Sequence, residues 1–284
     1  MIGSKVQELI ITSRIMTLRA NGPRLVDALR DVREGWRWYE LWLTLGWRDV
    51  LRRHRRSRLG PLWISISMGF VAGCMGTLYS AIMQRSPQDY IPYLVAGFMT
   101  WNFLAALVNE GREAFVGNAA SIREIPVPGT VYVYRLLWRN ILVFGYNAVV
   151  YVIVLLIFRI WPFPAILLVL PALAVILANG VWIGLLLGLI NARFRDFGQL
   201  IPNAMRLIFF VTPIIWYAES AAGMRGLFVH LNPMYYFIEL LRAPLLGIAP
   251  SPIVWIVILG ITVLGWGITL PIYAHWRRQI AFWV

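Results

Sequence analysis

An all-α integral membrane protein is the fold class this chain predicts, and three observations predict it. Hydrophobic residues fill 60% of its 284 positions and mean hydropathy is +0.68, which leaves little for a separate soluble domain. Six apolar runs reach the length of about 20 residues that a helix needs to cross hydrocarbon. Lys and Arg are distributed unevenly about those runs, as they are when cytoplasmic loops retain positive charge. The expected architecture is six transmembrane helices, an N-terminal amphipathic interfacial helix and short external re-entrant helices. It divides at residues 1–59, a cytoplasmic basic region, and 60–284, the six-span membrane domain.

The basic region comes first. Thirteen of the 26 Lys/Arg lie at or before Arg58, and Arg52, Arg53, Arg55, Arg56 and Arg58 crowd against the first apolar run. A net charge of +13 and a pI near 10.6 also suit a nucleic-acid-binding arm, but such arms seldom continue into membrane spans. Nucleic acid is therefore not an expected partner. Charges interrupt every early apolar stretch, so no signal peptide opens the chain, and Ile2 excludes myristoylation. Within this region Trp38, Leu41, Trp42 and Leu45 follow i, i+3, i+4, i+7 spacing and share one helix face. A Trp-rich helix with basic flanks suits the headgroup layer; the alternative is a core helix of a small cytosolic domain.

The six runs are 62–83, 91–108, 141–158, 165–190, 200–217 and 253–273. Pro202, Asn203 and Arg206 interrupt the start of the fifth. Six crossings put both termini in the cytoplasm, and then 22 of the 26 Lys/Arg fall inside, with only Arg85, Arg159, Arg225 and Arg242 outside. Between the second and third runs, Gly117-Asn118 can start a two-turn helix capped by Asn118 and ended by Pro126. Ile122 and Ile125 would be available for contact there, although a turn-like connector fits as well. The external stretch 218–251 is long and apolar; 226–231 and 235–246 are too short to span and suit helices dipping into the outer leaflet. Gly180, Gly184 and Gly188, and Gly69 with Gly73, form G-x-x-x-G steps that let helix backbones approach, within one chain or between two copies.

Several chemistries are missing. Cys74 is the only cysteine, so there is no intrachain disulfide or thiolate cluster, and His54, His230 and His275 are scattered. No acidic residue lies mid-span, no paired-carboxylate motif is present, and no G-x-x-x-x-G-K-[ST] phosphate loop occurs. The chain thus carries no evident catalytic centre and no energy source, and transport would draw energy from another polypeptide. The 40 aromatic residues are the positive feature, with Phe70, Trp101, Phe103, Phe209 and Phe210 inside spans. Rings of this kind can stack on sugar faces, although packing and interfacial belts account for most of them.

Four motifs carry a family resemblance. They are Arg55-Arg56-Ser57-Arg58-Leu59-Gly60-Pro61-Leu62-Trp63 leading into the first span, and Arg193-Phe194-Arg195-Asp196 after the fourth. The others are Thr212-Pro213-Ile214-Ile215-Trp216-Tyr217 at the end of the fifth, and Asn232-Pro233 followed by Arg242 and Gly247. In combination, from Trp36 onward, the chain resembles the membrane subunit of type-2 ABC exporters for surface polysaccharides such as O-antigen, capsule and teichoic acid. The segment before Gly35 is longer than the family's, and the resemblance assigns it no role.

That resemblance implies two permease copies working with two ATPase subunits, which would hold the ATP and Mg; this chain itself would need no cofactor. Its substrate would be a glycan on a lipid pyrophosphate. Asn118, Ser121, Ile122, Arg123, Glu124 and Ile125 would form the coupling helix docked on the ATPase. Trp63, Phe70, Tyr79, Phe209, Phe210, Trp216 and Tyr217, from the first and fifth spans, would line the substrate path. Trp38, Trp42, Arg55, Arg58, Arg193, Arg195 and Asp196 would form its cytoplasmic mouth and gate. Rival readings are a type-2 permease for a drug, haem or lipid, a membrane-bound glycan-assembly enzyme, and a non-transport scaffold.

Overall fold

A computed structural model describes residues 24–53, 62–218 and 224–284. Arg55 and Arg58 lie outside the described residues. Among the described residues the chain is helical with no strand: α1 (Arg24–Arg37), α2 (Tyr39–Arg53), α3 (Leu62–Ile82), α4 (Pro87–Gly111), α5 (Ala119–Glu124), α6 (Thr130–Phe158), α7 (Val169–Arg193), α8 (Phe197–Val211), α9 (Met224–Leu231), α10 (Pro233–Leu245), α11 (Pro252–Trp276) and α12 (Ile280–Trp283). A 3-10 turn, Ala165–Leu168, leads into α7.

Five of these helices are long and apolar enough to cross a bilayer: α3, α4, α6, α7 with its lead-in turn, and α11 with its continuation to Trp283. The bundle is built around α4. Two thirds of its most apolar stretch is buried, against 22–28% for the other four. It packs against α3, α6, α7 and α10, so its all-round apolar surface meets protein while its neighbours keep one face for lipid. Ser86 starts α4 by accepting from the Asp89 N–H, with Pro87 at the first helical position, where its missing N–H costs nothing.

Two boundaries depart from the sequence expectation. The third span begins as helix at Thr130, eleven residues before the apolar run that starts at Ile141. Hydropathy reports the lipid-facing length, whereas this helix continues beyond hydrocarbon because α1 and α2 cover its first three turns. The fifth span, expected to reach residue 217, ends as helix at Val211. Thr212 turns extended (φ −88°, ψ 133°) because the ring of Pro213 disfavours α geometry at the preceding residue. At 15 residues α8 is about 22 Å long, shorter than the hydrocarbon, and 212–217 follows as an irregular strand of backbone.

The G-x-x-x-G steps separate into two uses. A Cβ on Gly180 would sit 2.6 Å from Leu137, one on Gly184 2.9 Å from Val133, one on Gly111 3.1 Å from the Gly184 Cα, and one on Gly188 3.0 Å from Phe115. That triplet is spent inside the chain, bringing α7 against α4 and α6. Gly73 meets nothing within 4 Å, and Gly69 has only ordinary contact with Val150.

Candidate translocation path and coupling surface

α3 and α8 are among the helices that leave apolar faces uncovered. On α3, Ser65, Met68, Ala72, Gly76 and Ser80 turn inward, whereas Trp63, Ile66, Phe70, Leu78 and Ile82 are exposed, Phe70 at 72%. On α8, Gly198, Ile201 and Met205 turn inward, whereas Leu200, Leu207, Phe210 and Val211 are exposed, Phe210 at 74%. Both helices flank α4, to which each is attached by its inner face. Of the expected path residues, Trp63, Phe70 and Phe210 stand open and Tyr79 is half-buried. Phe209 is also half-buried, its ring centroid 5.4 Å from Trp101, 6.4 Å from Phe98 and 5.5 Å from Phe210. Tyr217 stacks on Tyr93 at 4.2 Å with Arg85 over its ring at 5.2 Å, and Trp216 is half-buried.

The irregular stretch after α8 is held by side chains of α4 and α10. Non-helical backbone at membrane depth is tolerated only where protein or water satisfies its polar groups. Tyr90 donates to the Ile215 carbonyl at 2.5 Å, and Tyr93 donates to those of Trp216 (3.1 Å) and Pro213 (3.3 Å). Asn232, which caps α10 by accepting from the Met234 N–H, also donates to the Thr212 hydroxyl at 2.8 Å. Arg242 is the centre of this arrangement. Only 1% exposed, it donates to the Pro213 carbonyl at 2.7 Å, pairs with Glu239 and lies 4.1 Å from the centroid of the Tyr93 ring. In the sequence Arg242 counts simply as an external charge. The signals of burial were its position within Leu240-Leu241-Arg242-Ala243 and the carboxylate three residues before it.

The opposite end of the bundle is rich in arginine. The helix α5 forms where expected and ends at Glu124, with Ile125 extended ahead of Pro126. Asn118 occupies the N-cap position but its side chain does not cap; Nδ2 donates back to the Ala114 carbonyl (2.8 Å) and Oδ1 accepts from Arg135 (3.1 Å). Its φ/ψ of −120°, 20° continues the preceding 3-10 turn, so the side chain is aimed away from the free N–H groups. Ile122 and Ser121 are half-buried, Ile122 against the core, while Arg123, Glu124 and Ile125 are exposed. Arg123 donates to the backbone oxygen of Val284.

A charge network beneath α6 joins α2 to this region. Arg135 binds Asp49 through two bonds of 2.7 and 2.6 Å; Arg139 contacts Asp49 at 3.3 Å and Glu110 at 2.7 Å; Asn140 donates to Glu110 at 2.7 Å. Arg135 therefore holds both the start of α5, through Asn118, and the N-terminal helix α2. The Trp38, Leu41, Trp42 face turns onto α6, with Trp42 7% exposed and 5.9 Å from the Tyr134 ring. The headgroup layer is thus not what this face meets; Trp36, Tyr39 and Trp47 remain exposed instead.

α1 docks by a second cluster. Tyr273 donates to Asp31 at 2.6 Å, Thr130 donates its N–H to the same carboxylate at 3.3 Å, and Arg277 pairs with Asp27 at 3.2 Å. Burial pushes the Asp31 carboxyl above the usual carboxylate range, against the opposing pull of the Tyr273 hydroxyl and the Arg277 charge. The loop Arg193-Phe194-Arg195-Asp196 is exposed, with Arg193 over the Trp283 ring at 5.3 Å. Among the described residues no group of three His, Cys, Asp or Glu side chains could hold a metal ion.

Comparison with known proteins agrees with this architecture. Residues 40–246 match the ABC-2 type transporter family. An "O-antigen export system permease protein RfbA" of Myxococcus xanthus is 23% identical over 208 residues, covering 72% of this chain and 80% of that protein. Two proteins of the same name from Klebsiella pneumoniae are each 22% identical over 199 residues, covering 69% of this chain and 76% of theirs. The matched region runs from α2 through α10 and takes in α3, α8, the short helix α5 and the Arg242 anchor, and this multi-pass membrane chain belongs to the ABC-2 type transporter family.

Proposed function

We propose that the chain is the permease subunit of an ATP-driven exporter that carries a lipid-linked surface polysaccharide, of O-antigen or capsule type, across the bacterial cytoplasmic membrane. The observation that carries this reading is the family match over 40–246 together with three relatives that all bear the name of O-antigen export permeases. ATP and Mg belong to a separate ATPase subunit, present in two copies, and this chain performs no hydrolysis of its own.

The geometry is consistent with the following mechanism. The open faces of α3 and α8 meet those of a second copy, and Trp63, Phe70 and Phe210 border the passage between them. The glycan enters past Arg193, Arg195 and Asp196. Stacking on aromatic faces holds sugars without deep minima, so a polymer can slide. Exposed Ile125, at the end of α5, docks on the ATPase, and movement of α5 passes through Asn118 and Arg135 to α6 and α2. The arginine-rich end faces the cytoplasm, residues 1–59 lie there, and both termini are inside, a reading supported by the 22 to 4 division of Lys/Arg that six crossings give. On that orientation Arg242 anchors the exit side.

Deleting the gene tests the function. Surface polymer should disappear while its lipid-linked form accumulates in the cytoplasmic leaflet, and the intact gene should reverse both. Normal surface polymer in the deletion strain overturns the proposal. Orientation is tested separately with Cys74→Ser as background: Ser251→Cys should react with an impermeant thiol reagent on whole cells. Protection of that residue until the cells are opened rejects the orientation.

A further inference from the structure

The chain's last helix displays an aromatic side chain that the fold of this chain does not use. In α12, Ile280 and Val284 are buried at 5% and 3%, and Trp283 lies against Trp276 with ring centroids 5.8 Å apart. Between these fixed points Phe282 is 88% exposed. The tail is therefore pinned, and Phe282 is held outward by the burial of its neighbours one turn apart.

Its surroundings define what covers it. α12 packs against α5 and against the end of α7, and Arg123 of α5 reaches the backbone oxygen of Val284. Arg193, at the end of α7, lies over the Trp283 ring. The exposed ring of Phe282 is thus carried by a helix tied to α5, whose Ile125 is also exposed. On the segments that α12 contacts and the loop just after α7, the exposed charged side chains are Arg123, Arg193, Arg195 and Arg278 with Glu124 and Asp196, a basic excess. So many exposed charges place the surface beyond hydrocarbon, where lipid tails cannot cover it. α12 also lies outside the residues matched to the family, which end at 246.

We propose that α12 is the second half of the ATPase-docking surface, with Phe282 inserting into an apolar depression of the ATP-hydrolysing subunit whose rim is acidic. The inference rests on the reading of α5 as the coupling helix. A few anchors seated in well-packed, desolvated pockets supply most of the energy of such interfaces. Docking at two points, α5 and α12, fixes the tilt of the ATPase as well as its position. Because Arg123 joins the two helices, ATPase motion also reaches α7 through Trp283 and Arg193.

The test co-expresses the full-length permease with the ATPase subunit encoded beside it and measures their association and the ATPase rate in nanodiscs. Phe282→Asp should keep a normal melting temperature, since the side chain is exposed, and should weaken ATPase association roughly tenfold or more. Phe282→Leu should retain most of it. Ile125→Asp runs alongside as the measure of α5. Loss with Ile125→Asp but full association with Phe282→Asp overturns the inference and leaves the α5 reading standing. Loss with Phe282→Asp alone keeps α12 in the interface but overturns its pairing with α5 as two halves of one docking surface. Unchanged association in both removes both. If Phe282→Asp breaks the permease dimer while ATPase association per permease chain is unchanged, Phe282 faces the second copy, and the inference fails.

Discussion

Arg242→Ala should be the most damaging single change among the described charged residues. The guanidinium is buried, pairs with Glu239, donates to the Pro213 carbonyl at 2.7 Å and sits 4.1 Å from the Tyr93 ring centroid. Removing one member of a buried pair leaves the other uncompensated, at a cost of about 3–5 kcal/mol. The Pro213 carbonyl keeps only its 3.3 Å bond from Tyr93, so the stretch after α8 loses its firmest tie. Arg242→Lys retains the charge but a single ammonium cannot reproduce the fork, and about 1–3 kcal/mol should be lost. For chains of some 150–250 residues each kcal/mol moves melting by about 2–4 °C, so Arg242→Ala should melt at least about 6 °C below wild type. Melting followed by fluorescence size-exclusion in detergent gives these values, and Glu239→Gln in the Arg242→Ala background should restore part of the loss. Melting of Arg242→Ala within about 1 °C of wild type would refute the reasoning, because no buried pair could then be holding the segment.

Other outcomes follow from the same geometry. Gly184→Leu should cost about 1–3 kcal/mol or more by forcing α7 off Val133 of α6, whereas Gly73→Leu should melt normally and act, if anywhere, on assembly of two copies; dimer mass and melting curves separate the two. Phe210→Ala should leave folded yield intact and lower polymer export, while Phe209→Ala should also lower stability through its contacts with Trp101 and Phe98; wild-type export by Phe210→Ala refutes the path assignment. Burial raises the Asp31 carboxyl, so the folded chain keeps that proton where the unfolded chain has lost it, and this contribution to stability is present at low pH and lost as pH rises through the raised value. Asp31→Asn holds no such proton, so it should gain on wild type in melting temperature between about pH 4 and 8, and a constant difference across that range contradicts the burial argument.

The parts of this fold that were legible in sequence are those set by lipid. Membrane-length apolar runs gave the positions of α3, α4, α6, α7 and α11, because a span must be apolar where hydrocarbon touches it. Pro126 and Pro213 stopped α5 and α8 through local backbone geometry, and the first of these was readable directly. What could not be read was set by tertiary contact. Thr130 to Asn140 is helix because α1 and α2 cover it, a fact absent from the hydropathy of α6. The Trp38 and Trp42 face has the spacing of a headgroup helix, but periodicity reports only that one face is apolar, not what it meets. Asn118 has the residue type of a cap, yet Arg135, seventeen residues on, competes for its side chain. Glycine spacing likewise marked close approach without a partner: Gly180, Gly184 and Gly188 found α4 and α6, while Gly73 found nothing in its own chain.

Of the candidate site, the short helix and the aromatic first and fifth spans were readable, and the ties between them were not. Arg135, Asp49, Arg139 and Glu110 come from three helices, and no spacing rule joins them. The same holds for Arg242 and the Tyr90 and Tyr93 hydroxyls, which meet the 212–217 backbone from about 120 residues away.

The measurement that bears most directly on the account is transport by the purified parts. The permease and the ATPase subunit encoded beside it are placed in proteoliposomes with a fluorescent lipid-linked glycan in the leaflet facing the ATPase. ATP should move the glycan to the opposite leaflet, where an added impermeant glycosidase reaches it, and the permease without the ATPase should move none. Glycan that stays out of the enzyme's reach while ATP is hydrolysed at an undiminished rate would contradict the account.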